Sequence, residues 1–111
     1  MSWRLTVRHG SKVKREQLGS LDQAIAEMER RAEEIRAEGP LGEVEMFRTY
    51  GPERRVAARI EITGPGRLRR PEAGVDVMGD GRLVPYRGAI FKRELEPGES
   101  AYDAVRAALS A

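Results

Sequence analysis

Asp76, Asp80 and Gly81 are the residues whose types and spacing come nearest to a metal site. A calcium loop needs oxygen ligands at alternating positions, a glycine at the sixth and a bidentate glutamate at the twelfth. Counted from Asp76, the fifth position is Asp80 and the sixth is Gly81, but the third is Met78 and the twelfth is Arg87. Two ligands fail, one of them replaced by a cation. The stretch GVDVMGDGRLVPYRG therefore reads as a tight turn between two strands, and no metal is expected there.

Other chemistries find equally little. The chain has no cysteine and one histidine, His9, whose neighbour Gly10 marks it as a turn residue. A histidine-rich metal site is excluded by that count. Ser20 and Ser100 stand where helices begin, and no serine occupies a G-x-S-x-G elbow. The run from Gly79 to Val84 carries valine where a dinucleotide-binding loop needs its last glycine, and no Walker pattern occurs. Glu27, Glu29, Glu33 and Glu34 form the solvated side of a helix. No catalytic, cofactor-binding or metal residue is assigned and no cofactor is expected, so the chain reads as a non-enzyme. Asp76, Tyr86 and Arg87 are the set from which an enzyme or small-molecule site without a motif would be built.

Basic residues are the remaining candidates. Of the 20 basic side chains, 17 are arginine, and they are segregated along the chain. Residues 1–15 hold five basic groups and no acid, whereas residues 16–45 hold nine acids and three basic groups. A second basic segment, residues 46–70, carries seven basic groups and two acids. Strand alternation turns Arg4, Arg8, Lys12, Lys14, Arg55 and Arg59 away from the apolar side, and Arg67, Arg69 and Arg70 cluster in a loop. Phe47 on the same outer side offers one stacking surface of the kind that single-stranded nucleic acid uses. Glu43, Glu45 and Glu61 share that face, and an arginine–glutamate lattice on a solvated sheet needs no ligand. Nucleic acid is thus the alternative partner.

The elements that must position these groups are legible from periodicity. Trp3, Leu5 and Val7 alternate with polar residues as a half-buried strand does. A three-residue loop at residues 9–11 would set Val7 opposite Val13 and turn Arg15 and Gln17 inward. Ser20 and Gln23 make a capping box. Leu21, Ile25, Met28, Ala32 and Ile35 then form one apolar helical stripe, with Glu27 and Arg31, and Arg30 and Glu34, paired four residues apart. Gly39 and Pro40 end the helix. Val44 and Met46 would pair with Ile60 and Ala58 across a loop at residues 51–53. A two-residue turn at Asp80 and Gly81 would pair Val77 with Val84 and Val75 with Tyr86 on the core side, with Pro85 opposite Asp76. Ser100 caps a short final helix that turns Tyr102, Val105 and Leu109 inward.

The expected fold is a single α+β domain over residues 1–111. Its order is β-β-α-β-β-β-β-α, with a mostly antiparallel sheet and the long helix across one face. In that register Met78, Leu83 and Pro85 form an outward apolar patch, which points to a protein partner or a homo-oligomer. A protein-binding or self-associating module is the first functional reading. No apolar run approaches the roughly 20 residues of a membrane span, and residues 1–12 lack a leader's apolar core, so a cytoplasmic protein is expected. The absence of cysteine and asparagine, with many arginine–glutamate pairings, implies a melting midpoint above the ~45–65 °C usual for mesophile domains.

The opening S-W-R-L, the helix start S-L-D-Q-A and the hairpin A-G-V-D-V-M-G-D-G together resemble a group of small bacterial proteins of uncharacterised function, over the whole chain. The resemblance implies no activity, ligand or catalytic residue.

Overall fold

A computed structural model describes residues 2–38, 55–66, 70–88 and 92–110. One six-stranded antiparallel sheet runs in the order β2-β1-β3-β4-β5-β6. Its strands are β1 (Trp3–His9), β2 (Lys12–Leu18), β3 (Val56–Thr63), β4 (Glu72–Met78), β5 (Leu83–Arg87) and β6 (Arg93–Glu94). Helix α1 (Leu21–Ala37) follows β2, and α2 (Ala101–Ser110) ends the chain. The α+β class and the order β-β-α-β-β-β-β-α are as expected. The strand expected at Val44 and Met46 lies outside the described residues, and the strand before α2 is the two-residue β6.

Helix α1 begins where its cap predicts. Ser20 Oγ accepts from the Gln23 N–H at 3.1 Å, and Gln23 Oε1 reaches back to the Gly19 N–H at 3.0 Å. The reciprocal bond thus closes one residue earlier than a standard capping box. Ala24, Ile25, Met28 and Ala32 are buried, and Leu21 and Ile35 pack at the margins of the same stripe. Glu27 pairs with Arg31 at 2.9 Å and Arg30 pairs with Glu34 on the solvated side. In α2, Ser100 Oγ accepts from the Asp103 N–H at 3.1 Å. The buried residues are Ala101, Val105 and Leu109, a repeat of four that faces the sheet. Tyr102 is half-buried against the same core, and donates its hydroxyl to Glu33 Oε2 of α1 at 2.6 Å. That bond, and then Arg36, hold the Glu33 carboxyl below the usual range.

Both helices pack on one face of the sheet. Leu5, Val7, Ala58, Ile60, Ile62, Ala73, Val75 and Val77 form a continuous core with the helix residues. At roughly 25 cal/mol per Å² of apolar area, this cluster is the main source of stability. No described helix packs on the opposite sheet face.

Two hairpin registers differ from the expected ones, each by one residue, and each slip inverts the faces of a strand. Between β1 and β2 the turn is the two residues Gly10 and Ser11, closed by His9 opposite Lys12. Gly10 supplies the positive φ (63°) that such a turn needs at its first position. Val7 therefore faces Lys14, and Arg8 faces Val13. Between β4 and β5 the connection takes three residues, 79–81. Met78 O accepts from the Gly81 N–H at 2.9 Å, and the Met78 N–H donates to Arg82 O at 2.8 Å. A two-residue turn of the mirror-image type would need positive φ at Asp80 as well. Only glycines adopt positive φ among the described residues, and here Gly81 alone does so, at 90°.

The slip decides what β5 presents. Val77 pairs with Leu83, Val75 with Pro85, Asp76 with Val84 and Gly74 with Tyr86. Leu83 packs against the core and Pro85 is buried. The outward apolar patch expected from Met78, Leu83 and Pro85 does not exist, because two of its three members face the helices. Tyr86 is buried as expected, at 1% exposure, but on the sheet face opposite the helices.

Candidate nucleic-acid interface

Residues directly opposite one another across paired strands share a face, so the registers define the open side of the sheet in rows. One row runs Val13, Arg8, Arg59, Asp76, Val84; the next runs Arg15, Thr6, Glu61, Gly74, Tyr86, Glu94; a third runs Gln17, Arg4, Thr63, Glu72. Of the sequence-predicted cations, Arg4, Arg8 and Arg59 lie here. Lys12 and Lys14 share the helix side with Val7, where they line a shallow groove with Arg31 and Ile35. Arg55 stands just before the bulged start of β3. Phe47, Arg67, Arg69, Glu43 and Glu45 lie outside the described residues. Arg15, expected inward, belongs to the open face. The dipeptide Gly10-Ser11 was the signal for this, since glycine before serine favours a two-residue turn.

The face divides electrostatically. Its β3–β6 half carries Glu61, Glu72, Asp76 and Glu94 against Arg59 and Lys92, and both cations gather on Asp76, which is only 3% exposed. Arg59 donates to Asp76 Oδ1 through Nε at 2.8 Å and to Oδ2 through Nη2 at 3.4 Å, and Lys92 Nζ also donates to Oδ2. The bond to Asp76 raises the Arg59 pKa above its ordinary value. Arg8 is opposite Arg59 in register, and the pull of Asp76 draws the Arg59 guanidinium away from that like charge.

Tyr86 crosses over Gly74 from β5 toward β3 and donates its hydroxyl to Glu61 Oε2 at 2.8 Å. The Arg59 guanidinium lies 5.4 Å and the Lys92 ammonium 4.7 Å from the ring centroid, within cation–π range. Burial first, and then the Glu61 charge, push the Tyr86 hydroxyl well above the usual tyrosine range, so it stays a donor. Asp76 and Tyr86 thus converge, whereas Arg87 sits opposite Ala73, on the other face. Asp80 accepts from the Arg82 N–H at 2.9 Å, shaping the turn. Among the described residues no three potential metal ligands cluster.

The β1–β2 half is different. Arg4, Arg8, Lys12, Lys14 and Arg15 make no ion pair with any described residue. Glu16, the first acid after them, turns to the helix side and faces Arg31 at 3.5 Å. The basic N-terminal segment is therefore one wing of the sheet, with Arg4, Arg8 and Arg15 on the open face and two lysines on the other. The free edge of β2 carries those lysines, which discourages pairing with another strand. No described helix is long and apolar enough to cross a membrane.

Comparison with protein-family models, with curated proteins and with solved structures found no match to this chain.

Proposed function

We propose that this protein is a non-enzymatic macromolecule-binding module whose partner is a nucleic acid, held on the open sheet face along β1 and β2. The observation that carries this reading is the basic wing: three arginines that pair with no described acid, on a face against which no described helix packs, next to a half whose cations are held by Asp76. A protein partner or a second copy was the reading suggested by the apolar hairpin patch, and two of its three residues, Leu83 and Pro85, face the helices. The large hydrophobics left exposed among the described residues are Val13 and Val56, at 43% and 46%. They are too few for an apolar interface core.

Backbone phosphates are the group these arginines would meet, so binding should be weak, independent of sequence and sensitive to salt. Fluorescence anisotropy with short single- and double-stranded DNA and RNA should give a Kd of ~10⁻⁴–10⁻⁶ M at physiological salt. With three phosphates neutralised, log K against log salt should slope about −2 to −3. Arg8→Glu with Arg15→Glu should weaken binding at least tenfold without changing the melt, since both side chains are exposed. Arg59 is the wrong residue for that test, because reversing its charge breaks the bond to buried Asp76. Absence of binding at low salt, or binding indifferent to the double change, would refute the reading. Light scattering on the same samples distinguishes a self-associating module.

A further inference from the structure

Where β3 ends, the open face closes into a polar cleft of about 180 Å³. We propose that this cleft binds a phosphomonoester group. Its floor is the third row of the face: Gln17, Arg4 and Thr63 lie side by side on three neighbouring strands. Its walls are Ser2, the turn at residues 64–66 and Arg70. Two arginines and three neutral hydrogen-bonding side chains line it, with no carboxylate among them. The side chains of Ser2, Arg4, Gln17 and Thr63 bond to no described residue, so their donors are available.

The cleft is also pre-formed. Arg70 Nε donates to Gly66 O at 2.7 Å, which fixes the guanidinium at the rim and leaves its terminal nitrogens for a ligand. The Gly64 N–H donates to Pro71 O at 2.8 Å. Gly64 itself is clamped: a Cβ there would lie 2.5 Å from Pro71 Cγ and 3.0 Å from the Trp3 ring. A rigid site loses less entropy on binding. Arginine forks match phosphate oxygens two at a time. Two of them favour the terminal phosphate, which carries ~1.5–2 negative charges at pH 7, over the single charge of a backbone diester.

One acid stands nearby. Glu72 is opposite Thr63, outside the cleft lining, and burial and then Glu61 raise its pKa above the ordinary value while Arg70 lowers it. Its charge competes with a bound anion for Arg70, so Glu72→Gln should strengthen binding.

The proposal rests on the preceding reading only for one source of the phosphate. That group is either the end of a nucleic-acid strand lying along Arg8 and Arg15 or part of a small phosphorylated molecule. The test uses the full chain in two arms. In the first, inorganic phosphate is titrated at constant ionic strength and the amide resonances of Ser2, Thr63, Gly64 and Gly66 are followed by NMR. Saturable shifts at these positions are expected. Arg4→Ala and Arg70→Ala should each weaken binding about tenfold or more, since each removes a charge-assisted hydrogen bond. Arg70→Lys should fall between, and Lys14→Ala, on the other face and outside the cleft, should leave phosphate binding as it was. In the second arm, one oligonucleotide is compared with and without a 5′-phosphate.

A phosphorylated end that binds severalfold tighter, lost in Arg70→Ala, supports the cleft with nucleic acid as its source. Phosphate binding with no preference for that end supports it with a small molecule as the source. Phosphate binding without any oligonucleotide binding keeps the cleft and removes the nucleic-acid reading. Absence of saturable shifts, or shifts unchanged in Arg4→Ala and Arg70→Ala, overturns the cleft whatever the oligonucleotides do.

Discussion

Gly74→Ala should lower the melting midpoint by about 10–15 °C, as expected for roughly 3 kcal/mol of overpacking in a domain of this size. A Cβ on Gly74 would lie 2.3 Å from the Ile60 carbonyl oxygen, 2.8 Å from the Tyr86 hydroxyl and 2.9 Å from the Glu61 Cα. Two of those three atoms are backbone of β3, so the strand pair itself must separate. The glycine is there because Tyr86 uses the space above it to reach Glu61 from two strands away, an aromatic covering the gap that a missing side chain leaves. Truncating the ring is no remedy. Tyr86→Ala combined with Gly74→Ala should be worse than either change alone, since the clash with Ile60 persists and the ring's packing is lost. Thermal melts followed by circular dichroism decide this, and a midpoint for Gly74→Ala within two or three degrees of the parent would falsify the account.

That position shows where the sequence is transparent and where it is not. Helix α1 could be read residue by residue, because its cap, stripe and charge pairs all follow from a period set by local geometry. The two-residue β6 is too short to show a period, but the existence of β1 to β5 was equally clear from alternation. Register was not, because a strand's period of two makes a one-residue slip invisible in composition while it exchanges the faces. Val84 and Tyr86 looked as suited to the core as Leu83 and Pro85. What decided between them was whether Asp80 would take a positive φ, and a three-residue loop spared it that strain. The candidate site suffered most from this. Arg15 moved onto the open face and Lys12 and Lys14 off it, through the same kind of slip at Gly10 and Ser11. The phosphate cleft was beyond sequence reasoning for another reason. Ser2, Gln17, Thr63 and Arg70 are far apart in the chain, and only the pairing of β1 with both β2 and β3 makes them neighbours.

The Asp76 cluster yields the second large effect. Asp76 receives Arg59 and Lys92 and is itself 3% exposed, so Asp76→Ala removes the anion and leaves two cations over the Tyr86 ring. Breaking a buried ion pair from one side costs ~3–5 kcal/mol. The side chains of Arg59 and Lys92 are 37% and 30% exposed and can turn toward water, so the lower end, roughly 3 kcal/mol, is expected here. Asp76→Asn should cost less, because an amide oxygen still accepts from Arg59 Nε. Urea denaturation measures both, and an Asp76→Ala midpoint equal to the parent's would show the cluster to be ornamental. The same change has a consequence of opposite sign for binding. Released from Asp76, Arg59 returns to the row where Arg8 already stands and Lys92 becomes free, so the basic surface gains two cations. Under conditions where the variant remains folded, nucleic acid should bind it severalfold more tightly. The salt slope should steepen by about 1 to 2, one increment for each phosphate newly met. A variant that is both less stable and a weaker binder would mean that the Asp76 cluster supports the binding surface instead of withholding charge from it.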